Sequence, residues 1–261
     1  MKVVLLNYTP APEKTIAEAA RLCYSDADLC TLCEQISTEK AEELVQMLDG
    51  YGHESPVEHV SFTFGIEGVS RSFLAQITRH RIASYSVQSQ RYVRTENFAY
   101  VTPPAIAENR QLLTAYELAM WKAIETYNFI ADRLEGKYTA ELLAQGMEEK
   151  KAKARAEKMA IEDARFVLPN ASETKLIVTM NVRSLRNFFR LRCCNRAQWE
   201  IRAVAQEMLR QCKEISPVLF AGAGSACLTG ACTEGKMCCG HPQKKMTDSQ
   251  KNGKICPEKS S

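Results

Sequence analysis

Three stretches of the chain have the hydrophobic pattern of β-strands. KVVLLNYT near the N-terminus is a run of apolar and β-branched residues. VSFTFGIEG alternates Val60, Phe62, Phe64 and Ile66 with smaller or polar residues, as a half-buried strand does. TKLIVTMNV, much later in the chain, is again β-branched. The pattern therefore predicts a small number of strands.

Most of the remaining chain has the apolar spacing of amphipathic helices. PEKTIAEAARLCYS and EKAEELVQMLDGYG are predicted helices. Ser37 and Thr38 precede the second, and Gly50 and Gly52 end it. SRSFLAQITRHR is a further helix, which places RHR at its C-terminal end. Long helices are predicted over residues 106–134 and 139–166, and basic helices over RSLRNFFRLR and RAQWEIRAVAQEMLRQCKEI. This helical excess around few strands predicts an α+β fold.

The C-terminal segment differs from the rest of the chain. Residues 221–261 are rich in Gly, Cys and Lys and have no hydrophobic periodicity, so we expect a domain over residues 1–220 followed by a separate tail. The soft metal ligands of the tail are Cys227, Cys232, Cys238, Cys239 and His241, with Cys256 further on. They could close on zinc, although no CxxC pair frames them, and the alternative is a flexible, thiol-rich tail.

Charge and composition limit the possible functions. With 34 basic and 31 acidic residues, the net charge of +3 is too small to make the whole molecule a binder of polyanions. An anionic ligand must therefore be held by a local cluster of charge. The apolar N-terminal run is short and reads as a strand and not a signal peptide, and no apolar stretch is long enough to span a membrane. Eleven cysteines without an export signal are typical of reduced thiols in a cytoplasmic protein.

The first candidate for chemistry is GHESPVEHVSF. It places His53, Glu54, Ser55, Glu58 and His59 within seven positions. Two histidines around two carboxylates could bind a metal, but their spacing does not match HExxH. A polar loop that opens a site beside a strand and a surface turn containing proline are the alternatives.

The second candidate is RHRIASYSVQSQRY, which begins at Arg79. Two arginines near serine hydroxyls and backbone amides suit a phosphate, which arginine binds in a bidentate manner. The alternative is a solvated basic helix end that complements the helix dipole.

The third candidate is NVRSLRNFFRLRCCNRAQWEIR. Basic residues interleaved with aromatic ones could bind RNA, but Phe188 and Phe189 keep helical spacing and are therefore predicted to belong to the core. Cys193 and Cys194 lie beside arginines, which lower a thiol pKa, so one of them could be an activated nucleophile. The alternative is a pair of buried, inert cysteines, because no histidine is nearby in the sequence to act as a base.

Taken together, these motifs resemble one family. Arg79-His80-Arg81, seven intervening residues, then Ser89 and Arg91 is the arrangement that defines flavin-dependent thymidylate synthases. The chain resembles that family from about residue 1 to 220, because GHESPVEH, ARFVLP, TMNVRSL and LRCCNRAQWEI also occur in the family's order. One short basic motif would be weak, but five ordered blocks are specific.

The resemblance implies a thymidylate synthase-complementing fold, with a central, mainly antiparallel sheet flanked by long helices. It implies a homotetramer with active sites shared between subunits. Members of the family methylate dUMP to dTMP, with 5,10-methylenetetrahydrofolate as carbon donor and a hydride from FAD that NADPH has reduced. The implied partners are thus dUMP and folate, with no nucleic acid and no membrane.

The resemblance also implies the site residues, position by position. Those implied to hold FAD are His53, Ser55, Arg79, His80, Arg81, Val87, Asn181, Arg183 and Asn187. Those implied to bind dUMP are Gln76, Arg79, Val87, Gln88, Ser89, Gln90, Arg91, Arg165 and Arg192. His53 would also lie near the folate, and no metal is implied.

Arg192 is the implied catalytic residue. A cation near N3 of uracil or its carbonyl oxygens stabilises the ionised base, and arginine keeps its charge when it is desolvated. The hydride comes from the cofactor, so no protein nucleophile is required. One position departs from the family: many members have asparagine where this chain has Ser86, so water or a backbone group is expected to replace that contact to the flavin.

Two other functions compete with this interpretation. The arginine-rich helices would suit an RNA-binding protein. Cys193 or Cys194 would suit a methylase that uses a cysteine nucleophile and needs no flavin.

Overall fold

The computed structural model describes residues 1–34, 36–91 and 98–243. These residues divide into two compact units. The first, which we call the helical unit, comprises Met1, residues 67–75 and the described part of residues 87–176. The second, which we call the sheet unit, comprises residues 2–66, 76–86 and the described residues from 177 on.

A four-stranded sheet provides the framework, with the strand order β1-β2-β4-β3. Its strands are β1 (Lys2–Tyr8), β2 (Ser61–Ser70), β3 (Ser84–Val87) and β4 (Glu173–Asn181). β2 and β4 are antiparallel, because the hydroxyls of Thr63 and Thr179 lie 2.9 Å apart and the Val182 amide donates to the Val60 carbonyl across 2.9 Å. The alternation predicted for β2 is confirmed, since the side chains of Phe62 and Phe64 are fully buried.

Helices make up most of the rest of the described chain. In chain order they are α1 (Pro12–Leu22), α2 (Leu29–Glu34), α3 (Thr38–Tyr51), α4 (Arg71–Ile77), α5 (Pro104–Ala107), α6 (Arg110–Ala144), α7 (Glu149–Ala164), α8 (Val182–Arg192) and α9 (Trp199–Ile215). The start of α3 after Ser37 and its end at Gly52 are confirmed, whereas Gly50, also predicted to end it, lies within the helix. Ser37 caps it by accepting a hydrogen bond from the Lys40 amide, and Gly52 ends it at φ 73°, a conformation that suits glycine.

The bounds predicted for the two long helices were wrong. α6 runs without a break through residues 134–139, where an interruption was expected. It begins only at Arg110, because the Asn109 side chain accepts hydrogen bonds from the amides of Gln111 and Leu112. It is followed by Gly146 at φ 84°. Packing against α7 explains the continuity: Leu142 is buried with alanines of α7, and the Tyr138 hydroxyl donates to Asp163 across 2.7 Å.

The core of the sheet unit contains a cluster of aromatic rings. Phe220 packs edge-on against Phe62, with ring centroids 5.4 Å apart, and against Phe189, at 6.1 Å. Phe188 and Phe189 on α8 are fully buried. The prediction that these two residues belong to the core is therefore confirmed.

The described part of the tail has defined contacts within the sheet unit. It forms short 3-10 turns at Ala226–Leu228 and Gly235–Met237, and Ser225 and Cys238 are buried. Within residues 1–34, 36–91 and 98–243, no three His, Cys, Asp or Glu side chains are grouped so that they could hold a metal, and Cys238 is disulfide-bonded. Cys256 lies outside the described residues, and the predicted boundary after residue 220 stays a prediction. No helix in the described ranges is both long and apolar enough to cross a membrane.

Candidate active site

The candidate site is a cleft of about 970 Å³ in the sheet unit. Its walls are the turn after α4, one face of α8 and the 3-10 turn Pro56–His59. The charged residues that line it are Glu54, Glu58, Arg79, His80, Arg81, Arg183, Arg186, Arg190 and Arg192. Six arginines against two carboxylates make the cleft strongly cationic, which suits an anionic ligand.

The turn that carries Arg79, His80 and Arg81 is fixed by hydrogen bonds to the end of α4. The His80 amide donates to the Ile77 carbonyl across 3.1 Å. The Tyr85 hydroxyl lies 2.7 Å from the Ile77 carbonyl oxygen and 2.9 Å from that of His80. Burial raises the pKa of Tyr85 to about 12, so the hydroxyl keeps its proton and remains a donor.

Arg192 at the end of α8 contacts His80 directly. Its Nε donates a hydrogen bond to Nε2 of His80 across 3.1 Å, and the His80 ring packs edge-on against Phe188 at 5.0 Å. Burial, with a further contribution from the Arg192 charge, lowers the pKa of His80 to about 4. His80 is therefore a neutral imidazole near pH 7, with Nε2 as acceptor and its proton assigned to Nδ1.

Arg192 itself is half buried and lies close to another cation. Burial lowers the pKa of its guanidinium, and the charge of Arg79 lowers it further. Arginine remains charged despite such a shift, because its ordinary pKa is above 12. The end of α8 thus holds a positive charge that is poorly neutralised by its described surroundings.

The cations on the other side of the cleft are paired with carboxylates. Nε of Arg183 lies 3.1 Å from Glu54, and its Nη1 lies 2.5 Å from Glu58. Arg186 makes two hydrogen bonds to Asp49, of 2.6 and 2.8 Å, and a third to the Leu219 carbonyl. These pairs position both guanidinium groups before any ligand arrives.

The N-cap and the second turn of α8 place two amide side chains in the cleft. Asn181 caps the helix, since its Oδ1 accepts a hydrogen bond from the Ser184 amide across 2.8 Å. Asn187, one turn along, accepts a hydrogen bond from Arg190 across 3.2 Å. Arg183, Asn187 and Arg190 share one face because they are three or four residues apart.

His53 and Ser55 precede the 3-10 turn that holds Glu58. The His53 ring contacts Tyr51 edge-on, with centroids 6.2 Å apart, and its amide donates to the Leu48 carbonyl. His53 lines a smaller cleft of about 260 Å³, which shares Glu54, Arg186 and Arg190 with the larger one. Neither His53 nor His59 belongs to a group of metal ligands in the described part of the chain.

Six residues implied to bind dUMP lie in the helical unit: Val87, Gln88, Ser89, Gln90, Arg91 and Arg165. Arg91 forms an ion pair with Glu162 at 2.8 Å, and Arg165 donates to the Glu162 carbonyl across 3.2 Å. The Arg91 amide donates to the Ser89 hydroxyl across 3.1 Å, which fixes the turn after β3. Glu162 thus brings the two implied arginines together within this unit.

Cys193 has the properties of an inert core residue. Its side chain is buried, and burial raises the pKa of its thiol to about 12. The thiol is therefore protonated near pH 7 and is a poor nucleophile. Phe188 and Phe189, being buried, also offer no surface on which RNA bases could stack.

Three contributors to the cleft were not assigned a role from the sequence. Tyr85 orders the turn after α4, while Arg186 and Arg190 line the cleft. The spacing along α8 was a usable signal for the two arginines, because they share a helix face with Arg183 and Asn187. No comparable signal in the sequence pointed to Tyr85.

Comparisons with known proteins agree with this geometry. The family described as "Thymidylate synthase complementing protein" matches residues 4–218. A flavin-dependent thymidylate synthase of Clostridium tetani is 53% identical over 240 residues, which is 92% of this chain and 93% of that protein. One of Geobacter sulfurreducens is 46% identical over 242 residues, covering 92% and 94%.

A solved structure has a similar fold. It is the flavin-dependent thymidylate synthase of Helicobacter pylori, in complex with FAD and dUMP. It is 24% identical, covers 86% of this chain and 100% of that one, and has a TM-score of 0.61. At this identity the likeness supports the α+β fold and not the details of the site.

An α+β fold with a cationic, arginine-lined cleft is typical of a protein that binds anionic ligands. The chain belongs to the thymidylate synthase complementing protein family, whose curated members matched above are flavin-dependent thymidylate synthases. The predicted family, fold class and flavin-dependent thymidylate synthesis are therefore confirmed.

Proposed function

We propose that this chain methylates dUMP reductively to dTMP, with 5,10-methylenetetrahydrofolate as carbon donor and FAD, reduced by NADPH, as hydride source. The observation that carries the proposal is the contact between Arg192 and His80 at the end of a cationic cleft. It holds a permanent positive charge beside a neutral imidazole, where an anionic ring can be stabilised.

The residues of the cleft fit a flavin dinucleotide. FAD carries a diphosphate, and the cleft supplies several guanidinium groups, of which Arg183 is oriented by Glu54 and Glu58. Asn181, Asn187 and His80 add polar side chains that can hydrogen-bond a heterocycle. When bound, FAD would supply the hydride that reduces the transferred one-carbon unit to a methyl group.

Arg192 would stabilise negative charge on the uracil. Ionisation of the base pushes electron density toward C5, the position that must attack the carbon donor. A cation at N3 or at the carbonyl oxygens favours that ionised form. Neutral His80 holds the guanidinium by accepting from Nε, so both terminal nitrogens of Arg192 keep their hydrogens for the substrate.

The remaining nucleotide contacts would come from Gln76, Ser89, Arg91 and Arg165, with Val87, Gln88 and Gln90 contributing from the same segment. Two arginines held together through Glu162 suit the 5′-phosphate of dUMP. We propose a homotetramer in which subunits share their active sites. We also expect the enzyme to act in the cytoplasm.

The experiment is a test of flavin uptake and coupled turnover. The purified chain should be yellow or should bind added FAD. It should release tritium from dUMP labelled at C5 only when NADPH and methylenetetrahydrofolate are both present. A colourless protein that does not take up FAD would reject the proposal, and tritium release without flavin would favour a cysteine nucleophile instead.

A further inference from the structure

The described part of the tail is attached to the loop that follows α8. The loop comprises residues 193–198, and we call its contacts with residues 225–243 the tail clasp. Gln243 Nε2 donates to the Cys193 carbonyl across 2.7 Å, and Asn195 Nδ2 donates to the His241 carbonyl across 3.2 Å. Arg196 donates to the Met237 carbonyl. Gln243 Nε2 also lies 3.4 Å from Asn195 Oδ1, so four hydrogen bonds join the tail and the loop.

Gln243 is itself held in place from the tail. The Ser225 hydroxyl donates to Gln243 Oε1 across 2.8 Å, and Ser225 is buried. The backbone nitrogen of Gln243 lies 3.4 Å from Cys227 Sγ. Because its oxygen is engaged by Ser225, the Gln243 side chain presents its NH2 group toward Cys193.

The hydrogen bond from Gln243 reaches the C-terminal end of α8. Cys193 is the C-terminal cap residue of this helix, and its carbonyl is one of those that have no partner within a helix. It is the residue directly after Arg192. Last turns of helices fray unless such carbonyls are satisfied, and displacement by a fraction of an ångström is costly at a catalytic charge.

The last turn of α8 lies between the active-site cleft and the tail. Arg190 and Leu191 line the 970 Å³ cleft, and the same two residues line a crevice of about 20 Å³ whose other wall is formed by the tail. The tail therefore adjoins the same turn of α8 that lines the cleft.

We propose that the tail is a positioning element of the active site, in which Gln243 fixes the C-terminal end of α8 so that Arg192 keeps its contact with His80. The proposal rests on the proposed role of Arg192 toward dUMP. It gives residues 225–243 a function that requires no metal.

The test uses a matched pair of substitutions in the full chain. Gln243→Met removes the donor to Cys193 and Asn195 with little change in size. Gln211→Met removes a glutamine of the same unit that donates to the Val3 carbonyl across 2.9 Å, away from the cleft. We expect kcat/KM for dUMP to fall about three- to tenfold in Gln243→Met, with FAD content unchanged. Gln211→Met should change it less than about twofold, although its Tm falls.

A second readout does not depend on the reaction. The chain has four histidines, so NMR of protein labelled with 13C at histidine can follow His80. In the unliganded wild type its pKa should be about 4. In Gln243→Met the Arg192 charge should move away from His80, which should raise the pKa of His80. Gln211→Met should leave that pKa unchanged. Glu54 and Glu58, also in the cleft, are unchanged in both variants.

These outcomes separate the two proposals. A His80 pKa that rises in a protein with no thymidylate synthesis would support the clasp and reject the function. A His80 pKa that stays at the wild-type value, or equal losses of kcat/KM in both variants, would overturn the clasp. If Gln243→Met does not fold, Arg196→Met, which removes the bond to Met237, gives the same pair of readouts.

Discussion

Arg192 donates from Nε to Nε2 of His80 across 3.1 Å, although both side chains can carry positive charge. The contact requires a neutral imidazole, and the low pKa of His80 provides it. Residues that lie 112 positions apart in the sequence thus form one unit, with histidine as acceptor and arginine as the permanent cation.

The first prediction concerns Arg192. Arg192→Ala should lower kcat by at least about a hundredfold, because it removes the charge that stabilises the ionised base. FAD should still bind, as the other cations of the cleft remain. Steady-state kinetics and flavin absorbance of the purified variant would check both statements.

Arg210→Ala is the control for this substitution, because Arg210 is an exposed arginine of α9 paired with Glu207 and Glu214. It should leave kcat within about twofold of the wild type. If Arg192→Ala loses its flavin, Arg192 binds FAD and its assignment to dUMP is wrong.

The second prediction concerns the pH dependence of stability. The pKa of His80 is about 4 in the folded chain and about 6.5 in the unfolded chain. Between these values the unfolded chain binds the additional proton, so the free energy of unfolding should fall as the pH drops from about 6.5 to about 4. His80 is only partly buried, so we expect about 1 kcal/mol from this residue.

Urea unfolding at pH 7 and pH 5 would measure this contribution. His80→Gln should unfold with a smaller difference between the two pH values, whereas His59→Gln, at an exposed position, should behave as the wild type does. An undiminished difference in His80→Gln would contradict the low pKa.

The third prediction concerns Arg183. Arg183→Gln should weaken FAD binding about three- to tenfold, because it removes a cation from the cleft and leaves Glu54 and Glu58 without their partner. Adding Glu54→Gln and Glu58→Gln should restore part of the affinity, since neutral side chains do not repel the FAD phosphates. Fluorescence titration with FAD would measure both effects.

The control is Arg210→Gln, which removes an equivalent surface charge elsewhere. If the triple variant recovers no affinity, the unpaired carboxylates do not repel FAD. The loss in Arg183→Gln would then come from the Arg183 contact alone.

The fourth prediction concerns the two adjacent cysteines. Replacing Cys193 and Cys194 together by alanine should leave kcat within about twofold, because the raised pKa of Cys193 keeps its thiol protonated. The variant should lose about 1 kcal/mol of stability through the small cavity at Cys193. Complete inactivation of a folded, flavin-loaded protein would revive the cysteine mechanism.

The sequence predicted the elements of the fold better than their ends. Hydrophobic alternation in β2 and the Ser37 and Gly52 signals around α3 are local, and the structure bears them out. In α6, Gly136 lies within the helix, where its cost is overcome by packing on α7, while Gly146 lies just beyond the helix end. A glycine letter alone does not distinguish these two cases.

The candidate site, too, could be predicted from the sequence only in part. The arginines and amides of the cleft occur in short motifs that the sequence displays directly. Their partners are far away along the chain: Glu58 lies 125 residues before Arg183, and Asp49 lies 137 residues before Arg186. Such pairs, like the neutral state of His80, depend on tertiary structure and burial, which hydrophobic periodicity does not encode.

Asn181 serves the helix and the cleft with different atoms. Its Oδ1 caps α8 through the Ser184 amide, which leaves the NH2 group as the part that can meet a ligand. Aspartate would preserve the cap and delete that donor, whereas alanine would delete both. The contribution of this residue to folding can therefore be separated from its contribution to flavin recognition by the choice of a single replacement.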